Sequence, residues 1–434
     1  MPSQQKQRVV NSTLPSSAYI HIPFCRRRCY YCDFPVSVVG DRKNGSNSPT
    51  IAQYVEVLCQ EISTVSRNSQ PLTTIFFGGG TPSLLSVSQL SQILGVLDRQ
   101  LGTAADAEIS LEIDPGTFTL EQLQGYQAAG VNRVSLGVQA FQDELLQRCG
   151  RSHTVSDIHA AVHTIHQVGI DNFSLDLISG LPHQTLEQWQ ASLEAAVALL
   201  PAHLSCYDLI VEAGTPFGRY YQAGEQPLPT DETAAQMYRC AQQILTQAGY
   251  EHYEISNYAR PGYQCRHNRV YWENRAFYGF GMGAASYLDG VRLTRPRKTQ
   301  EYRDWVRSLL QSNSVTSPPC NHLPDSDSSP ASGLPMAEHE FLLETLMLGL
   351  RLAEGLSLRR LTETFGQARL QQIWHCLRPY HQQGWVEIVD SDGETTLMPG
   401  EEELPIAGSL RLTDPEGFLF SNTVLASLFH SLPV

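Results

Sequence analysis

Apolar positions recur with different periods along this chain. In the stretch 86–101, Leu90, Ile93, Leu94, Leu97 and Leu101 fall on one face of a helix with 3.6 residues per turn. Helical patterning also occupies stretches near 51–66, 119–129, 154–168, 184–199 and 231–248. Between these lie short β-rich runs at 18–24, 74–78, 108–114, 133–139, 172–180 and 203–212. Strand–helix alternation predicts right-handed βαβ units on a parallel sheet. Six successive repeats fit an α/β fold of the partly closed, TIM-like (β/α)6 barrel type better than an open two-layer sheet.

The pattern breaks at 311–335, where seven Ser and five Pro replace the apolar positions. Such a stretch reads as a linker. A smaller unit follows. An amphipathic helix over 337–353 stops near Gly355, and helices near 357–365 and 367–382 come next. A strand at 385–390, a Ser-Asp-Gly turn, a second strand near 394–398 and a final helix over 414–431 complete a winged-helix-like arrangement. The expected organisation is a tail at 1–17, a barrel with an extension at 18–310, a linker at 311–335 and a C-terminal domain at 336–434.

Composition narrows the function. The chain has 434 residues, 41 % of them apolar and 17 % charged, which is globular and ample for a large core. Its net charge of -14 argues against a general nucleic-acid or membrane-surface binder, since both need a positive field. The winged-helix-like unit also lacks a basic run, so DNA binding is not expected of it. Residues 1–17 are polar and contain no signal-peptide core. No uncharged apolar run reaches the ~18–20 residues that span a bilayer, so no integral membrane segment is expected and the cytoplasm is the default compartment. There, clustered cysteines point to metal rather than disulfides. Three of the ten cysteines, Cys25, Cys29 and Cys32, crowd into eight residues. Cys59, Cys149, Cys206, Cys240 and Cys376 sit in apolar patterns and read as small buried hydrophobes.

Polar residues collect where the predicted strands end. The three cysteines follow the first strand and Gly78-Gly79-Gly80-Thr81-Pro82 the second. Glu112 and Asp114 end the third, Gln139 the fourth, and Asp176 lies in the fifth. In β/α barrels this face carries the active site. Three thiolates suit a soft metal or an iron–sulfur cluster. Structural zinc wants four ligands; the loop offers three, with His21 on the strand side as a candidate fourth.

The spacing Cys-x3-Cys-x2-Cys, followed by Asp33-Phe34, resembles the signature of radical S-adenosylmethionine (SAM) proteins. With Tyr19-Ile-His-Ile-Pro-Phe-Cys25, Gly78-Gly-Gly-Thr-Pro-Ser83, Glu112-Ile-Asp-Pro115, Val134-Ser-Leu-Gly-Val-Gln139 and Asp176-Leu-Ile-Ser-Gly-Leu-Pro182, the chain resembles the oxygen-independent coproporphyrinogen III oxidase family. The resemblance covers most of residues 18–300. It implies a radical SAM barrel with a [4Fe-4S] cluster on Cys25, Cys29 and Cys32, and an open iron that chelates SAM. The family's SAM contacts fall on Tyr19, Tyr31, Gly79, Gly80, Thr81, Glu112, Gln139, Arg151 and Asp176. Tyr31 suits adenine stacking, Glu112 and Asp176 the ribose or the ammonium, and Arg151 a carboxylate. The resemblance also implies a reductant such as a flavodoxin or ferredoxin. It assigns no catalytic residue and leaves turnover of a substrate open.

Two departures separate this chain from the family's decarboxylating members. Phe34 stands where they carry a fourth cysteine, and only 24 residues precede Cys25. Both features match the family's haem-chaperone branch, which implies haem as cargo and an acceptor protein as partner. In that branch Cys265-Arg-His267-Asn268-Arg269-Val270-Tyr271-Trp272 matches a haem motif, which makes His267 the expected iron ligand and Cys265 a second candidate. The plainer alternative is that His267 hydrogen-bonds in a turn while Tyr271 and Trp272 pack. Two further features carry open readings. Gly279-Phe-Gly-Met-Gly283 reads as a tight turn against the barrel mouth, with a cofactor contact. Arg26, Arg27 and Arg28 read as a solvated loop face, or else as anchors for propionates or for an acidic electron donor.

Overall fold

The computed structural model describes residues 14–41, 44–66, 70–312, 337–390, 393–396, 404–405 and 407–432. Six parallel strands form its centre in chain order: β1 (Ser17–Ile22), β2 (Leu72–Gly79), β3 (Thr103–Ile113), β4 (Arg133–Gln139), β5 (Phe173–Ser179) and β6 (His203–Asp208). The extension adds strands at both edges. β7 (Glu251–Glu254) and β8 (Asn257–Ala259) continue antiparallel beyond β6, and β9 (Tyr278–Phe280) pairs parallel with β1. The partly closed (β/α)6 expectation is met by this sheet, with the extension strands as its added edges.

Helices cover the outer face: α1 (Pro49–Ser63), α2 (Val87–Leu101), α3 (Leu120–Ala128), α4 (Val155–Val168), α5 (Leu186–Ala198) and α6 (Asp231–Gln247). Their starts follow from local chemistry. Ser86 with Gln89, Thr154 with Asp157 and Thr185 with Gln188 each form a reciprocal capping box. The face of α2 that carries Leu90, Ile93, Leu97 and Leu101 is buried, as its period predicts.

The strands alternate strictly, and the two sides differ in kind. One side supplies Ile20, Ile22, Ile75, Phe77, Leu111, Leu136, Leu175 and Leu204 to a core shared with the helices. The other side carries Tyr19, Thr74, Glu108, Ser110, Glu112, Arg133, Ser135, Ser174, Asp176 and His203. A closed TIM barrel fills its lumen with branched apolar side chains. Here the lumen is lined by polar and charged groups, which suits a charged ligand rather than a second apolar core.

A short helix, α7 (Arg266–Trp272), closes the floor of this lumen. Its N-cap, Cys265, makes no side-chain cap bond. The exposed amides are taken by Glu108 of β3, which accepts from the backbone N–H groups of Arg266 at 3.1 Å and His267 at 3.2 Å. The Cys265 thiol lies 3.7 Å from the same carboxylate.

The C-terminal region has its own core of Leu342, Leu346, Leu361, Ile373, Leu377, Ile388, Leu410 and Leu428, among others. Four expectations need correction here. The helix α8 (Thr299–Ser312) runs into the start of the expected linker, and 313–335 lie outside the described residues. The helix expected over 337–353 spans Glu338–Gly349. The strand Val386–Val389 pairs along its length with Ser409–Leu412, while the strand expected at 394–398 is reduced, among its described residues, to a short hairpin contact: Thr395 bridges Val389 and the Thr396 amide donates to the Ile388 carbonyl at 2.9 Å. The final helix is broken at Phe420 into Glu416–Leu419 and Ser421–Ser431.

Candidate radical SAM site

The cluster loop is fastened at its two ends. Phe24–Cys25 pairs with Ser37–Val38, and the Val39 amide donates to the Cys25 carbonyl at 2.9 Å. Inside this loop the Tyr30 amide reaches the Cys149 carbonyl across the mouth at 2.9 Å. Cys25, Cys29 and Cys32 are free, half-buried thiols. All three line one cavity of about 520 Å³ at the C-terminal ends of the barrel strands. Tyr31, Gly79, Gly80, Thr81, Glu112, Gln139, Arg151 and Asp176 line it too. Of the expected contacts, Tyr19 does not. It lies below, stacked near Phe76, with its hydroxyl 3.0 Å from His21 Nδ1.

The polar groups in the cavity are held by one another. The Gly79 amide donates to Glu112 Oε2 at 2.9 Å. Thr81 Oγ1 donates to Asp114 Oδ2 at 3.0 Å. Ser135 donates to both Asp176 oxygens, at 3.0 and 2.9 Å. Arg151 bridges three groups: the Asp114 carboxylate, the Gly137 carbonyl at 2.9 Å and Cys29 Sγ at 3.4 Å. It is thus anchored to a carboxylate of the protein itself, at the edge of the thiol triad. Burial, reinforced by the neighbouring Asp176 charge, pushes the Glu112 carboxyl up to about 8, against the pull of the Gly79 amide. Burial also raises Asp176, while its serine bonds and Arg133 hold it down.

The glycines answer to packing as well as to a ligand. Gly79 has φ +111, and a Cβ there would lie 2.4 Å from the His21 ring. A Cβ on Gly80 would lie 2.7 Å from the Phe24 carbonyl oxygen. Gln139 is a non-glycine residue at φ 69, and its turn ends β4 at the cavity wall.

Three groups weighed from sequence sit elsewhere. His21, the candidate fourth metal ligand, has Nδ1 on Tyr19 and Nε2 on the Pro35 carbonyl at 3.1 Å. His267, expected at haem iron, is 1 % exposed and lies under the floor of the lumen. Its Nδ1 meets Thr74 Oγ1 at 2.8 Å and its Nε2 meets the Tyr271 hydroxyl at 2.8 Å, so neither nitrogen is free for iron in this conformation. Cys265 is fully buried beside Glu108. Of Gly279–Gly283, Gly279 and Phe280 belong to strand β9; a Cβ at Gly283 would lie 2.5 Å from Pro35 of the cluster loop, and the stretch does not line the cavity, so the expected cofactor contact there is not met. Sequence reading missed Tyr207 and Asp208, which end β6, and Leu209, Ile210 and Glu212, which follow it; all five line the cavity. Their position at the end of a barrel strand was the available signal.

The donor set fits a cluster. No three His, Cys, Asp or Glu side chains among the described residues are gathered tightly enough for one metal ion. A cubane needs no such gathering, because each thiolate ligates its own iron. Burial and the Asp114 charge push the Cys25 thiol to about 12, so it ionises readily only when metal replaces the proton.

Comparison with known proteins shows the family and the fold. A model of the radical SAM superfamily matches residues 19–196, and a HemN C-terminal domain model matches 336–392. The chain is similar to heme chaperone HemW of Synechocystis, 47 % identical over 96 % of this chain and 97 % of that one. HemW of Bacillus subtilis is 37 % identical over 81 % of this chain and 87 % of its own, and HemW of Escherichia coli 40 % over 68 % and 76 %. Among solved structures, coproporphyrinogen III oxidase (HemN) from Escherichia coli superposes with a TM-score of 0.71 at 21 % identity, covering 95 % of this chain and 89 % of that one. That likeness shows a shared fold.

Proposed function

Because the chain belongs to the HemW heme chaperone family, we propose that it binds haem and hands it to an acceptor protein, with a [4Fe-4S] cluster and SAM held at the barrel mouth. The observation that carries the cofactor part is the convergence of three free thiols with Gly79, Glu112, Arg151 and Asp176 on one cavity. Cys25, Cys29 and Cys32 would hold the cluster; Gly79, Gly80, Thr81, Glu112, Gln139 and Asp176 would hold SAM, and Tyr31 its adenine. When bound, the pair supplies one-electron chemistry. The protein's own part is to orient the ligand and keep its charges matched. Ser135 holds the Asp176 carboxylate in place, and Arg151 neutralises Asp114 beside the thiols.

Phe34 supports chaperone over decarboxylase. It occupies the position of the family's fourth cysteine and is 57 % exposed at the cavity edge. A cytoplasmic setting fits the nine described cysteines, all free. A small acidic reductant would keep the cluster reduced. No helix among the described residues is long and apolar enough to cross a membrane.

Anaerobic reconstitution and haem titration test the reading. Wild-type protein should take up iron and sulfide, and added haem should give a shifted Soret band that an apo-haemoprotein then collects. Ala at Cys25, Cys29 and Cys32 together should remove the iron and sulfide. Retained cluster in that variant, or a merely additive haem spectrum in wild type, would overturn the respective half of the proposal.

A further inference from the structure

The haem reading leaves a structural question, since the expected ligand His267 is sealed under the lumen floor. The mouth of the same barrel offers a different surface. Few large apolar side chains are strongly exposed among the described residues, and several cluster here. Phe34 is 57 % exposed, Tyr207 43 % and Ile210 69 %, and all three line the cavity. Tyr220 is 77 % exposed and follows Phe217, whose amide donates to the Tyr30 carbonyl of the cluster loop at 3.0 Å. Exposed apolar groups gathered around a concave site mark a binding surface rather than chance.

The cluster loop adds three guanidiniums and one carboxylate, Asp33. Arg27 is paired with Asp41 at 2.8 Å. Arg26 and Arg28 donate only to backbone carbonyls, of Gly116 for Arg26 and of Cys32 and Phe34 for Arg28. Both therefore keep their charge for another partner. The Arg26 Nε is buried with no hydrogen-bond partner. A second depression of about 350 Å³ adjoins along Arg28 and Phe34 and contributes Arg297. Two carboxylates, Asp33 and Glu212, also line the main cavity. The mouth thus combines an apolar segment after β6 with a guanidinium-rich segment after β1.

We infer that haem docks on this mouth, with its apolar macrocycle edge against Tyr207, Ile210 and Phe34 and its propionates toward Arg26 and Arg28. The ligand class is a flat apolar ring with two carboxylates on one edge, which is what an apolar wall beside uncommitted guanidiniums recognises. Docking here places the cargo over the cluster and SAM cavity. His267 then serves the floor of the barrel and not the iron. The inference rests on the haem reading above and adds the location.

The test uses the holoprotein, cluster reconstituted and SAM present, titrated with haem and followed at the Soret band. Ile210→Asp and, separately, Phe34→Asp should each raise the haem Kd about tenfold; both sites are solvent-exposed, so folding is preserved. Haem dimethyl ester should bind wild type about tenfold more weakly than haem, and the Arg26→Gln/Arg28→Gln variant should bind the two porphyrins alike. His267→Gln should leave the Soret position unchanged. Unaltered affinity in the two Asp variants, or a Soret band lost in His267→Gln alone, overturns the mouth assignment while leaving the chaperone reading intact. Wild type that binds no haem overturns both.

Discussion

His267 shows how far a side chain's surroundings outrun its motif. Burial, with the Arg133 charge adding to it, holds its imidazole neutral and pushes it down to about 3. An imidazole depressed in the folded state contributes stability that is complete above its ordinary value near 6.5 and is lost as pH falls toward the folded value. Between pH 7 and 5 the loss is about 2 kcal/mol for this one group. Denaturant melts of wild type and His267→Gln should therefore converge by about that amount over the same interval; parallel curves would show that His267 does not titrate on unfolding. The Cys265–Trp272 run was legible as a unit. What was not legible is that Thr74, 193 residues earlier, faces His267 Nδ1. The cysteine triad was fully legible, because its three members lie within one short loop and need no long-range partner to be recognised.

At the scale of elements, the helices were the easiest to read. Their caps and apolar stripes are local, and the predicted stretches near 86–101, 154–168 and 184–199 agree with α2, α4 and α5 to within two residues. Strand positions were legible too, but not what their polar faces do. Alternation says that Glu108, Ser110 and Glu112 share a face. Only the folded sheet separates their tasks, with Glu112 at the cavity and Glu108 under α7. Replacing Glu108 by Ala leaves the first amides of α7 unpaired and takes from Arg133 one of its neighbouring carboxylates. The expected loss is about 3 kcal/mol, with faster amide exchange across 266–272. Unchanged protection of those amides would refute Glu108 as the cap. The C-terminal hairpin was read only in part: Thr395 bridges Val389 as the hairpin requires, but the longer antiparallel pairing is decided by which strand completes the core. Val386–Val389 finds Ser409–Leu412, beyond the segment nearest in sequence.

Across the whole molecule, the C-terminal region is bound to the barrel through the extension. Glu254 forms an isolated bridge with Leu352. Arg351 reaches the fully buried Glu254 carboxylate at 3.1 Å and lies 4.4 Å over the Trp272 ring. Arg239 and Glu416 add a more exposed pair at 2.6 Å. Arg351→Ala strips the one cation from a buried carboxylate, and such losses cost about 3 kcal/mol. The variant should melt in two steps, the C-terminal region first, whereas a single transition at the wild-type temperature would assign the junction to apolar contacts instead. The sequence by itself determined the helices, the strand order of the barrel, the thiol triad and the polar residues at the strand ends, because each depends on local period or on spacing within one loop. Tertiary structure alone decided which polar residues converge. It turned one strand face into a charged lumen, sealed His267 beneath it and set Ile210 and Phe34 around a single mouth. The reason is physical: burial and pairing at these positions come from residues tens to hundreds of positions apart, and no periodicity records which of them will meet.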